Sequence, residues 1–165
     1  IGSSSLQAEE KPEPSGKQTR IVADKVVYSR QKSTVRFEGN VHAAREAFEI
    51  WCTEMTVFVA REGAAGGENE EQPSLQSQRN FERIVAVGDV RLHMDNRSAE
   101  SSKAVYEAKS ETLTLTGNVR LREGRNTIQG EKVKLYLKED RSEVMSGEEG
   151  QVEATFYSSE EDESQ

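Results

Sequence analysis

The chain has 165 residues, with 22 Lys and Arg against 30 Asp and Glu, for a formal net charge of −8. Leu, Ile, Val and Phe supply 33 residues, near the lower limit for a chain that folds around a core, and the length allows one domain or at most two. No run approaches the ~18 apolar residues of a membrane-spanning helix, the lone Cys52 excludes a disulfide scaffold, and one Cys with two distant His (His42, His93) offers too few ligands for a metal site.

Residues 1–19 hold Ser3, Ser4, Ser5, Pro12, Pro14 and Gly16 among charged side chains, and read as a disordered linker. They lack a basic start followed by an apolar stretch, so no signal peptide is read there. From residue 20 the pattern turns to strands. Val outnumbers Leu by 15 to 8, which favours β structure. Thr34-Val35-Arg36-Phe37-Glu38 alternates strictly, as do 111–116 and 132–138, and a period of two puts one face in a core and the other in water. Turn residues punctuate the chain at 30–32, 45–46, 95–96, 108–110, 123–125 and 139–140. Residues 61–80, rich in Gly, Glu, Gln and Ser with Pro73, read as an inserted mobile loop. The end of the chain, 158–165, reads as a disordered acidic tail. Seven acids and no base lie within 146–165, so most of the net charge sits there. No basic stripe exists to neutralise phosphates, which argues against nucleic acid as a partner.

The chain also repeats itself. Under a shift of 78, Lys25, Tyr28, Thr34, Gly39, Asn40 and Val41 fall on Lys103, Tyr106, Thr112, Gly117, Asn118 and Val119. Gly88-Asp89-Val90 supplies a third copy between them, and a weaker echo lies at Gly147. The interval from Gly88 to Gly117 is 29 residues; that from Gly39 to Gly88 is 49, longer by the length of 61–80. This predicts an all-β chain of strand–bend–strand units, with Gly and then Asn or Asp at each bend because both tolerate a left-handed backbone. One unit cannot bury its own face, so the units stack along a shared interior. Alternation directs Val35, Phe37, Val41, Ile50, Met55, Val57, Ile84, Leu92, Met94, Leu113, Leu115, Leu121, Ile128, Val133 and Leu135 inward. Val26, Tyr28, Phe48, Val59, Ala86, Val90, Val119 and Leu137 complete the inward set. Most such rows are plain core, and the pattern leaves open whether two sheets close on each other or stand apart around a slot.

The phrases IVADKVVYSRQKSTVRFEGNV (21–41), IVAVGDVRL (84–92), AVYEAKSETLTLTGNVRL (104–121) and TIQGEKVKLYL (127–137) resemble the OstA-like family of lipopolysaccharide (LPS) transport proteins over residues 20–145. The resemblance implies a twisted antiparallel β-jellyroll over 20–157, open at both ends. It implies a non-enzymatic periplasmic bridge between the inner and outer membranes, with copies joined head to tail. The lipid A acyl chains would lie in the apolar interior against the first fifteen inward residues, with the sugar outside. The partners implied are LPS, a second copy of the chain, and the inner- and outer-membrane LPS-transport components; no cofactor is implied. Within the family, the soluble bridge and the periplasmic domain of a larger transport component both remain open. At about 0.8 kcal/mol per buried CH₂, a fully engulfed multi-chain lipid would be trapped, so repeated similar sites suit a conduit better than one deep site.

Other functions find less support in the residues. A purely structural β-solenoid would use the same alternation as sealed core and its edges for polymerisation. A glycan hydrolase needs two carboxylates together in a cleft, whereas Glu38, Asp89, Glu111 and Glu123 read as outward or turn residues. Trp51, His42 and His93 face outward by parity, without a nucleophile at motif spacing. Cys52 is expected buried and unreactive. Arg30 with Lys32, and Arg120 with Arg122, suit either lipid phosphates or an ordinary wet strand face.

Overall fold

A computed structural model describes residues 18–60 and 81–158. The linker and tail expected at the termini, residues 18, 19 and 158 aside, and the expected loop 61–80, lie outside the described residues. The described chain is one antiparallel sheet of ten strands. They are β1 (Arg20–Val22), β2 (Lys25–Ser29), β3 (Thr34–Arg45), β4 (Phe48–Val59), β5 (Phe81–Met94), β6 (Arg97–Glu107), β7 (Thr112–Glu123), β8 (Asn126–Tyr136), β9 (Arg141–Met145) and β10 (Glu153–Thr155). Each of β3 to β8 pairs with its sequence neighbour. β1 and β2 share β3, one on each half of it, and β9 and β10 share β8 in the same way.

This pairing follows from the bends. Every ladder from β3 to β8 breaks register at one level, as between Glu38 and Val41 in β3 and between Val87 and Val90 in β5. At that level Gly39-Asn40, Gly88-Asp89 and Gly117-Asn118 all take positive φ, near +81° to +87° for the glycines and +44° to +46° for their neighbours. Two successive left-handed residues turn a strand sharply, and only Gly followed by Asn or Asp does this at low cost. The recurring Gly-Asn/Asp pair of the sequence is therefore the hinge of each odd-numbered long strand. The strand before it supplies a polar side chain against the glycine: Asp24 on Gly39, Thr53 on Gly88 and Ser102 on Gly117. Gly147, the weaker echo, lies beside Glu131 just after β9 but does not take the positive φ of the three hinge glycines. Asp24 falls in the gap between β1 and β2, where its N–H donates to Gly39 O (2.9 Å) and its carboxylate accepts from Asn40 Nδ2 (2.9 Å). β1 and β2 thus behave as one long strand interrupted at its own hinge.

The bends divide the sheet into two leaves. The first contains β1, the second halves of β3, β5 and β7, the first halves of β4, β6 and β8, and β10. The second contains β2, the remaining halves and β9. Both leaves feed one apolar cluster, from Val41, Ile50 and Val119 on one side to Met55, Leu115 and Val133 on the other, so they face each other across the bend. The turns fall within two residues of where the sequence placed them. Two-residue turns at 46–47, 95–96 and 124–125 close the rim of the first leaf, and four-residue turns at 30–33, 108–111 and 137–140 close the rim of the second. The repeat extends to the hydrogen bonds of that second rim: Val59 N donates to Ser33 O (2.9 Å) and, 78 residues on, Leu137 N donates to Glu111 O (3.0 Å). Residues 61–80 stand between β4 and β5, in the place of a further four-residue turn.

Candidate functional site

The interior is a wedge, and its accessibility depends on distance from the hinge. Two residues from the bend, most inward side chains are sealed: Val41, Ala86, Val90, Leu115, Val119 and Val133 are 0–1 % exposed, with Phe37, beside the edge strand β2, only partly buried. Four residues out, Val57, Leu92 and Leu113 are still buried, but Val35, Ile84, Tyr106, Leu121 and Leu135 are only partly so. Farther out still, Phe48, Val59 and Met94 are half-buried. Burial is therefore deepest beside the hinge and falls, unevenly from strand to strand, toward the turns.

The sequence-derived inward set divides along this gradient. Val41, Ile50, Met55, Val57, Leu92, Leu113, Leu115 and Val133 form buried core. Val35, Phe37, Ile84, Leu121 and Leu135 pack against it while remaining partly open. Met94 and Ile128 are half-buried and stand outside the cluster. Val26 and Tyr28 pair with Phe37 and Val35, so they share the interior face, yet they are 42 % and 48 % exposed. The reason is that β2 is an edge strand with a partner on one side only. Leu137 falls in the turn after β8 and is exposed.

Alternation passed over several interior members. Ala43, Ala99 and Ala104 are buried but too small to mark a strand face. Ser101 is buried next to the bend of β6, where its hydroxyl donates to Lys103 O (3.2 Å). That bond satisfies the group locally and leaves the apolar interior without a bare donor. Cys52 is buried as expected, and desolvation pushes its thiol up to about 11. A thiol held neutral in this way is not a nucleophile at neutral pH. Among the described residues no group of His, Cys, Asp and Glu could hold a metal ion.

The outer face of the first leaf carries a second feature. His42 stacks on Trp51 with ring centroids 4.8 Å apart and planes 6° from parallel, and His93 meets Trp51 edge-on at 6.0 Å. His42 Nε2 lies 3.5 Å from Glu49 Oε2, out of alignment for a hydrogen bond. Beside this trio, a pocket of about 500 Å³ opens over the bends of β3, β4 and β5.

A family model described as LptA/(LptD N-terminal domain) LPS transport protein matches residues 20–141. No curated protein matches the chain. Among solved structures, the chain is similar to LptH, the LptA-homologous periplasmic component of the conserved lipopolysaccharide transport device from Pseudomonas aeruginosa. The TM-score is 0.67 at 12 % identity, over 86 % of this chain and 96 % of that one. At that identity the likeness is one of fold.

Proposed function

The chain belongs to the LptA/(LptD N-terminal domain) family of LPS transport proteins, and from that premise we propose that it is a periplasmic, non-enzymatic carrier of LPS. In this reading the acyl chains lie in the mouth of the wedge, the sugar stays outside, and edge strands join successive copies or other transport components end to end. The observation that carries the reading is the graded interior. A protein that needed only a core would bury its inward face along its whole depth, whereas here Val35, Ile84, Leu121, Leu135, Phe48 and Met94 remain partly exposed on that face, which supports the reading. Apolar surface left open in this way marks a surface that awaits a partner.

The mouth also suits movement. The inward positions of four of these residues recur as apolar ones, Val35 with Ile84 and Leu113, Leu121 with Ala43 and Leu92, and Leu135 with Val57 and Tyr106, whereas Phe48 and Met94 fall on polar residues. An acyl chain displaced along the stack would leave one well for a similar one, so the loss of contact at each step is small compared with full release at ~0.8 kcal/mol per CH₂. The N-terminal edge fits end-to-end joining, because Val26 and Tyr28 continue the interior face to the last strand and stay exposed there. An edge strand with unpaired backbone groups readily accepts another strand.

Site-specific photo-crosslinkers test the proposal. At Ile84, Leu121 and Leu135 they are expected to capture LPS, and at the outward positions Arg36 and Thr114 they are not. Equal capture on both faces would overturn it.

A further inference from the structure

The outer pocket has a composition that the repeat does not explain. It is lined by Asn40, Trp51, Thr53, Asp89, Arg91 and His93, together with the backbone of the bend. Asn40, Thr53 and Asp89 are hinge residues, and each has a counterpart in the other units. Arg91 likewise has Arg120 as its counterpart, whereas Trp51 and His93 depart from the pattern. Trp51 lies in a cross-strand row that runs Val22, His42, Trp51, Arg91, Glu100, Arg120, Gln129. The equivalents of Trp51 in the neighbouring units are Val22, Glu100 and Gln129. His42 stands where later units place Arg91 and Arg120, and His93 stands where they place Ala44 and Arg122. The aromatic trio is therefore confined to one of several similar bends, the one that bears the pocket.

We propose that this outer pocket is a saccharide-binding site, with Trp51 as the apolar wall and Asn40, Thr53, Asp89, Arg91 and His93 as hydrogen-bonding partners for ring hydroxyls. The volume lies within the ~300–1,000 Å³ of small-ligand clefts. The lining holds one carboxylate and one guanidinium, so it favours a hydroxyl-rich ligand with little net charge. Free phosphate would meet the carboxylate of Asp89, and an apolar ligand would strip water from five polar side chains without replacing their hydrogen bonds. A sugar ring meets both demands: its C–H face lies against an aromatic ring and its hydroxyls donate and accept. The indole is held ready for this. His42 is stacked against it and His93 stands perpendicular to it, so little side-chain freedom is lost on binding. Asn40 gives its Nδ2 to Asp24 and offers its amide oxygen as acceptor, while Thr53 donates to Gly88 O (3.3 Å) and offers its lone pairs.

Trp51 is the chain's single tryptophan, so its emission reports on the pocket alone. The full chain is titrated with the delipidated saccharide of LPS and, separately, with an unrelated neutral hexose oligomer. A saturable change in emission with the first alone makes the sugar of the cargo the ligand; a change with both makes the site a general glycan contact. Asp89→Asn restores the residue that the bends at Asn40 and Asn118 already use, so the fold is expected to persist. Arg91→Gln alters an exposed strand residue. Each is expected to weaken binding about tenfold, the usual loss for one charge-assisted hydrogen bond, with an unchanged unfolding midpoint. No emission change with either saccharide, or a change that both variants leave intact, would overturn the proposal. Uptake of a fluorescent acyl probe in the same samples reads the interior separately, so failure here and failure of the carrier reading are distinguishable.

Discussion

A β-carbon placed on Gly88 would stand 2.5 Å from Thr53 Oγ1 and 2.7 Å from Thr53 Cβ. Gly88 also holds φ at +87°. The bend thus depends on the glycine in two separable ways, through a backbone angle and through a close approach. Gly88→Ala is expected to cost about 2–4 kcal/mol, from left-handed strain and overpacking together. Adding Thr53→Gly removes the contact and leaves the angle, so the double variant should recover only part of the loss. Urea unfolding of the four members of the cycle measures the split; full recovery would show that the backbone angle is without cost.

The gradient of the wedge separates stability from binding. Leu115, 0 % exposed beside the hinge, is expected to cost about 2–5 kcal/mol as Leu115→Ala. Leu135, half-buried at the mouth, is expected to cost about 1 kcal/mol as Leu135→Ala and to lower uptake of an acyl probe by more than its stability loss explains. Equal effects of the two substitutions on both readouts would mean that the mouth is only a looser core.

Cys52 gives folding a pH dependence of defined sign. Its ordinary value is 9.0, and burial raises the folded thiol to about 11. Above about 9 the unfolded chain releases this proton and the folded chain keeps it. The contribution of the neutral thiol is therefore complete below the unfolded value and is lost as pH rises through the interval up to about 11. Cys52→Ala should lack that component, so the difference between the two chains' pH profiles of unfolding midpoint isolates it from the Tyr and Lys titrations. Parallel profiles across the interval would contradict the assignment.

Asp24 ties the interrupted N-terminal strand to the first hinge through its backbone N–H and its carboxylate. Asp24→Ala removes the carboxylate's bond to Asn40 and is expected to cost about 0.5–1.5 kcal/mol. The loss should be local, with faster amide exchange in β1 and β2 and unchanged protection in β6 and β7. Uniform acceleration across the sheet would show that this hinge supports the whole fold.

Much of this architecture was legible in the residues. Gly39, Gly88 and Gly117 recur because a bend of this kind admits few alternatives, and strict alternation in strands such as β3 and β7 announces which face is dry. Depth was not legible. Period two assigns Leu115 and Leu135 to one face but says nothing of how near each lies to the hinge or what packs beside it, and the two together decide how deeply each is buried. The partners of the hinge glycines were hidden for another reason. Asp24, Thr53 and Ser102 occupy equivalent places but share no chemistry beyond a polar atom, so a search for matching letters passes over them. Tyr28 and Val26 were assigned the right face, and their exposure reflects the missing neighbour of an edge strand, which no local pattern records.

Because every hinge is assembled from one hairpin and the strand beside it, hairpin number sets the reach of the groove and leaves its cross-section alone. Neighbouring strands lie about 4.8 Å apart, so deleting or duplicating one 29-residue unit would shorten or lengthen the folded sheet by about 10 Å. The fold is in effect a ruler graduated in pairs of strands.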